Sequence, residues 1–148
     1  MTEKTRTPLA AKLIGFAGVA LFLFTAINLH TKGPLFTGFA LQVFVVFSAL
    51  ILSFLGGIRW GLALQGTVKN TALFIAVLPN VLALGALLLN QPLHQVVMLM
   101  VGFVGMLLLD WFAAPLHMPQ WMVMLRLQLG LLVIIAHVIA LVAVGQWT

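Results

Sequence analysis

Five stretches of this chain are each long and apolar enough to cross a lipid bilayer, and little sequence is left over. They cover residues 11–29, 35–58, 71–89, 95–112 and 127–145. Crossing about 30 Å of hydrocarbon takes roughly 20 residues of helix, and each stretch is close to that length. The separators carry turn chemistry: HTKGP at 30–34, QGTVKN at 65–70, NQPLH at 90–94 and APLHMPQW at 114–121. Gly, Pro and Asn in such clusters end helices, and none of these connections is long enough to fold separately. The expected fold is all-α, a single domain over 1–148 built as a bundle of five transmembrane helices. Composition agrees, with 64% hydrophobic and 6% charged residues, against about 45–50% and about 25% in soluble domains. Two acids and seven bases cannot cover the surface of a water-soluble fold of 148 residues.

The basic residues set an expected orientation. With the N-terminus in the cytoplasm, that side receives Lys4, Arg6, Lys12, Arg59, Lys69 and Arg126, and the other receives only Lys32. This is the excess that the positive-inside rule asks for, and it puts the C-terminus outside. Trp60, Trp111 and Trp121 then fall near the inner boundary and Trp147 near the outer one. The basic start and the apolar run at 13–27 resemble a signal peptide. The next residues, Asn28-Leu29-His30, form no small-residue cleavage site, so an uncleaved first helix is expected. The bases are scattered, with no stacking platform between them, which argues against a nucleic-acid partner. Without cysteine, disulfides, thiolate metal sites and cysteine nucleophiles are excluded.

The unusual residues collect at the inner ends. Arg59 is expected to end the second span, Asp110 to lie about one turn inside the end of the fourth, and Arg126 to begin the fifth. A lone carboxylate at that depth is costly and should find a cation, so Asp110 is expected to pair with Arg59 or Arg126. A structural ion pair is the plain reading. The functional one is that two arginines and one aspartate leave a spare positive charge for a phosphate, a carboxylate or an anionic headgroup. Ala49, Ser53, Gly57 and Gly61 recur every four residues and predict a close helix contact beside Arg59, with the second helix at the bundle's centre.

A second group falls near the membrane's middle. Pro79 removes a helical hydrogen bond and is expected to interrupt the third span. Asn80 beside it and His137 in the fifth span predict an interhelical hydrogen bond. A relay through Gln42 and Ser48 is the alternative use of this group. His30 and His94 on the outer side lack a third ligand, so no metal is expected. His117 reads as a solvated loop residue, and Met118, Met122 and Met124 as packing. There is no nucleophile–base constellation, no paired carboxylate and no phosphate-binding loop.

ILSFLGGIRWGLAL (51–64), VLPNVLALGALLL (77–89), LLLDW (107–111) and MPQWMVMLRLQLGLLV (118–133) occur in that order. This arrangement resembles a family of small bacterial membrane proteins, domain of unknown function 3429, whose animal relatives are of the transmembrane protein 69 type. The resemblance implies about five helices in a bilayer and a bacterial inner membrane, and it implies no activity.

The expected function is therefore that of a non-enzymatic, multi-pass inner-membrane protein without cofactor or metal. It would bind an anionic lipid, a membrane-protein partner or a second copy of itself through Gly57, Arg59, Trp60, Gly61, Asp110, Trp111 and Arg126. The alternative is a small oligomeric transporter or channel with a midplane site at Pro79, Asn80 and His137. A lipid-modifying enzyme with Asp110 as base is weaker, because it lacks a second catalytic group.

Overall fold

The computed structural model of the protein describes residues 7–30, 34–65, 70–113 and 118–147, the side chains of 34–36 excepted. Lys4, Arg6, Lys32, Lys69 and His117 lie outside the described residues. Five helices succeed one another: α1 (Leu9–Asn28), α2 (Pro34–Ala63), α3 (Asn70–Leu88), α4 (Pro92–Phe112) and α5 (Gln120–Gly145). All five are long and apolar enough to cross a membrane, which is the architecture of a multi-pass membrane protein. Large apolar side chains such as Phe24, Phe39, Phe54, Phe74 and Phe112 point away from the bundle. In water such a surface would drive aggregation, whereas hydrocarbon solvates it.

Two helices differ in length from the sequence expectation. α2 continues one turn past Arg59, and α5 begins well before Arg126. Pro119 caps α5 with an extended backbone, and the polar Gln120 opens the helix. Both arginines therefore lie within helices, not at their ends. α3 also runs unbroken through Pro79, which corrects the expected interruption. The proline forfeits one backbone bond, and the rest of the ladder holds the helix together.

α2 packs against α1, α3 and α4, α4 against α3 and α5, and α1 against α5. The helices close a ring crossed by the α2–α4 contact, so α4 shares the centre with α2. One side of that crossing is a three-helix group of α2, α3 and α4. The other is a four-helix group of α1, α2, α4 and α5. Within it α1 and α5 run parallel: Gly15 faces Leu129, and further along both helices His30 reaches the Ile139 carbonyl at 3.2 Å. Leu9 and Gly145, the outer ends of these helices, lie at opposite faces of the bundle.

Lipid tails are as apolar as leucine, so helices associate through close packing and not through escape from water. The interior accordingly mixes a few large side chains (Phe22, Phe44, Leu52, Leu99, Phe103) with many alanines, among them Ala26, Ala49, Ala83, Ala136 and Ala140. The interior hydroxyls of Thr25 and Ser48 are satisfied on their own helices. Thr25 donates to the Leu21 carbonyl at 2.8 Å, and Ser48 donates to the Phe44 carbonyl at 2.6 Å.

The small-residue ridge of α2 is not the helix contact. Ala49 is buried and Ser53 half-buried, but Gly57 and Gly61 are exposed, with nothing near the space a β-carbon would take. Four residues turn a helix through about 400°, so each step along the ridge drifts about 40° and carries it off the buried face. The buried line is Val45, Ala49, Leu52, Gly56 and Arg59, alternating steps of three and four. Gly56 makes the close approach: a β-carbon there would lie 2.6 Å from the Ala76 carbonyl oxygen on α3. Backbone cannot step aside as a flexible side chain can.

Gly56→Ala is expected to cost about 1–3 kcal/mol, as overpacking does, while Gly57→Ala stays within about 0.5 kcal/mol of the parent. Unfolding by SDS in mixed micelles measures both, and equal losses would contradict the α2–α3 packing.

Candidate functional site

Each of the three late charges ends a buried helix face. On α2 the line reaches Arg59, on α4 it runs Val96, Leu99, Phe103, Met106 and Asp110, and on α5 it runs back from Val144 through Ala140, His137 and Val133 to Arg126. The same periodicity that buries the apolar side chains therefore buries the charges. α2 and α4 approach this face by their C-terminal ends and α5 by its N-terminal end, so the three meet.

Asp110 is shared. Its Oδ1 accepts from Arg59 Nη1 at 3.0 Å, and its Oδ2 accepts from Arg126 Nε at 2.7 Å. Arg59 Nη2 also donates to the Ala113 carbonyl at 2.9 Å, an oxygen at the C-terminus of α4, where helical carbonyls lack partners. The negative end of the α4 dipole favours a cation at that point as well. All three side chains are buried. Two guanidiniums on one carboxylate leave a single net positive charge. Among the described residues, Arg126 Nη1 and Nη2 are buried without a hydrogen-bond partner.

Sequence neighbours point elsewhere. Successive residues on a helix lie about 100° apart, so Trp60 comes after buried Arg59 and turns outward, 40% exposed, and Trp111 does the same after buried Asp110, 68% exposed. Gly57 and Gly61 share that outward face of α2. Of the seven residues expected together, Arg59, Asp110 and Arg126 converge, while Gly57, Trp60, Gly61 and Trp111 surround them on the surface. The Ala113 carbonyl and Gly56 were not foreseen. Spacing along α2 would have found Gly56, but nothing in the sequence marks a backbone oxygen.

Asp110 and Arg126 also close one end of a cavity of about 170 Å3 inside the four-helix group. Its other walls are apolar, including Phe22, Phe54, Phe103 and Met106. No sequence feature pointed to it, because it exists only between helices.

Pro79, Asn80 and His137 do not form one site. α3 and α5 do not touch. Asn80 lies on α3 beside Gly56, with its Oδ1 lacking a partner among the described residues. His137 sits among three rings, 4.8 Å from Phe44, 5.0 Å from Phe103 and 5.8 Å from Phe22. Its Nδ1 bonds to the Val133 carbonyl of its own helix at 2.8 Å. The expected Asn80–His137 bond is thus replaced by a local one, a shorter reach than the span across the bundle. Gln42 is exposed and Ser48 bonds within α2, so neither continues a chain from His137. Among the described residues, no three His, Asp or Glu side chains gather as a metal site would require.

The sequence matches, over residues 7–142, the family described as protein of unknown function (DUF3429). The chain belongs to that family. No curated protein and no solved structure matches it.

Removing the carboxylate leaves two buried guanidiniums uncompensated. Asp110→Asn is expected to cost about 3–5 kcal/mol, as breaking buried pairs does. The triple variant Arg59→Met, Asp110→Leu, Arg126→Met should return to within about 1 kcal/mol of the parent or exceed it. SDS unfolding compares them, and a harmless Asp110→Asn would show that the carboxylate does not hold the three helix ends.

Proposed function

We propose that this member of the family is a non-enzymatic protein of the bacterial inner membrane, with its N-terminus in the cytoplasm and C-terminus outside. It binds anionic lipid at the cytoplasmic ends of α2, α4 and α5. One observation carries the reading. Arg59, Asp110 and Arg126 hold one positive charge more than they neutralise, and the two terminal nitrogens of Arg126 are unpartnered among the described residues. A guanidinium binds carboxylate and phosphate oxygens two at a time, and anionic headgroups are the acceptors a cytoplasmic leaflet offers at that depth. A membrane-protein partner, or a second copy of the chain, would meet the outward residues Gly57, Trp60, Gly61 and Trp111.

Native mass spectrometry of the detergent-purified protein tests the lipid reading. The parent should retain phosphatidylglycerol or cardiolipin, and the double variant Arg59→Ala, Arg126→Ala should lose most of it. Undiminished retention in the double variant would remove the proposal. Alkaline phosphatase fused at the C-terminus should be active and green fluorescent protein dark. The reverse result would overturn the orientation.

A further inference from the structure

The cavity beside Arg126 has a polar end and apolar walls. Its polar end is Arg126 with Asp110. Arg59 places one terminal nitrogen on Asp110 and the other on the Ala113 carbonyl. Arg126 gives only Nε to the carboxylate, and Nη1 and Nη2, the pair that fits two oxygens of one anion, are covered but have no hydrogen-bond partner among the described residues. Arg126 is itself only 8% exposed, and in so apolar a setting a charge-assisted hydrogen bond is strong.

The apolar part runs along α5 from Arg126 to Val133, about 10 Å at helical rise. It starts near the bundle face and leads toward the middle of the membrane, the direction in which an amphiphile lies in a leaflet. Phe22 and Phe103, which pack against His137, also line the cavity. Its volume of about 170 Å3 is below the roughly 300–1,000 Å3 of pockets for drug-sized ligands and near the ~150 Å3 of cavities that take a benzene ring. It has room for part of one hydrocarbon chain and not for two.

The wall is most exposed on α1 and α2. The α1–α5 seam is shut where Gly15 abuts Leu129. Deeper in, α1 meets α2 through the edge-on contact of Phe22 with Phe44. The wall residues Ile14 of α1 and Phe54 of α2 are strongly exposed, so this side of the wall meets the surface that faces lipid.

We infer that this cavity binds a single-chain anionic amphiphile, entering from the bilayer between α1 and α2, with its carboxylate or phosphate on Arg126 Nη1 and Nη2 and its chain between Phe22, Phe103 and Met106. The inference rests on the reading that the arginine cluster takes an anion, and adds the chain, the stoichiometry and the route. A long-chain fatty acid and a monoalkyl phosphate share the required chemistry. A diacyl phospholipid can bring its headgroup to the cluster but cannot place both chains in the cavity.

The test uses the full chain in non-ionic detergent micelles, with native mass spectrometry counting adducts of palmitate, hexadecyl phosphate, octyl phosphate, hexadecanol and phosphatidylglycerol. One palmitate or hexadecyl phosphate per chain is expected, and whichever is retained better identifies the headgroup. Hexadecanol, which lacks the charge, should be held about tenfold less well or worse, whereas octyl phosphate, whose chain is long enough to span the roughly 10 Å slot, should be retained like the longer chains. Arg126→Gln should reduce the single-chain adducts by about tenfold or more. Gly18→Leu is the second variant, remote from the ion pairs. Gly18 lines the cavity, and a β-carbon there would meet only Phe47 Cζ, at 3.8 Å. The leucine should fill the space and abolish the adducts while leaving the SDS unfolding midpoint in place. Undiminished single-chain adducts in Gly18→Leu overturn the inference. If phosphatidylglycerol retention still falls in Arg126→Gln in that case, the proposed headgroup binding survives without the cavity. If Arg126→Gln changes no adduct at all, both fall.

Discussion

Asp110 must share its carboxylate between two arginines, because hydrocarbon offers an ion nothing else to bind. The carboxylate sits on α4, and its two oxygens take one guanidinium from α2 and one from α5. Through it the ends of three helices are held at one level of the bundle. The parallel contact of α2 with α4, which crosses the ring and divides it, terminates at this pair. α3 is held differently, by the backbone approach at Gly56. α1 has no ion pair to the triad, and it touches its neighbours through Gly15, Gly18 and Phe22. Of the two helices without an ionic tie, α1 is the one that lines the cavity.

The cavity is a consequence of that arrangement. Three helices around one axis can fill the space between them with alanines and single large side chains, as α2, α3 and α4 do. In the group of four, the space is filled over only part of its length. Phe22, Phe44, Phe103 and His137 fill the deep part of the four-helix group, while nearer the triad the walls include Gly15, Gly18 and Gly130, whose lack of side chains leaves the space open. The result is a charge with spare donors next to an apolar slot. Thr25, Ser48 and His137 instead bond to carbonyls of their own helices. The triad is where charged side chains of three helices meet, and so where a change at one helix is felt by others.

Much of the fold was legible in the residues. The five apolar runs announced five helices because length and hydropathy decide that question alone, each run independently of the others. The attraction of Asp110 for Arg59 and Arg126 was legible too, since a single acid among apolar neighbours has few partners to choose from. The choice of glycine was misread. A spacing of four looks like a ridge in a string of letters, but over eight residues it drifts about 80° around a helix, far enough to carry Gly57 from contact to exposure. Asn80 and His137 were paired on depth alone. Depth comes from counting along a span, whereas neighbourhood depends on which helices touch, and α3 and α5 do not.

Local chemistry, then, settled what each segment is: apolar lengths make helices, Gly, Pro and Asn end them, and buried faces arise from steps of three and four. How those faces meet was decided by packing in three dimensions. The sharing of Asp110, the outward turn of Trp60 and Trp111, the approach at Gly56 and the cavity beside Arg126 all depend on the angle and order of helices around the ring. Periodicity along one helix carries no information about the helix across from it, and it is there, between elements distant in the chain, that charge and empty space come together.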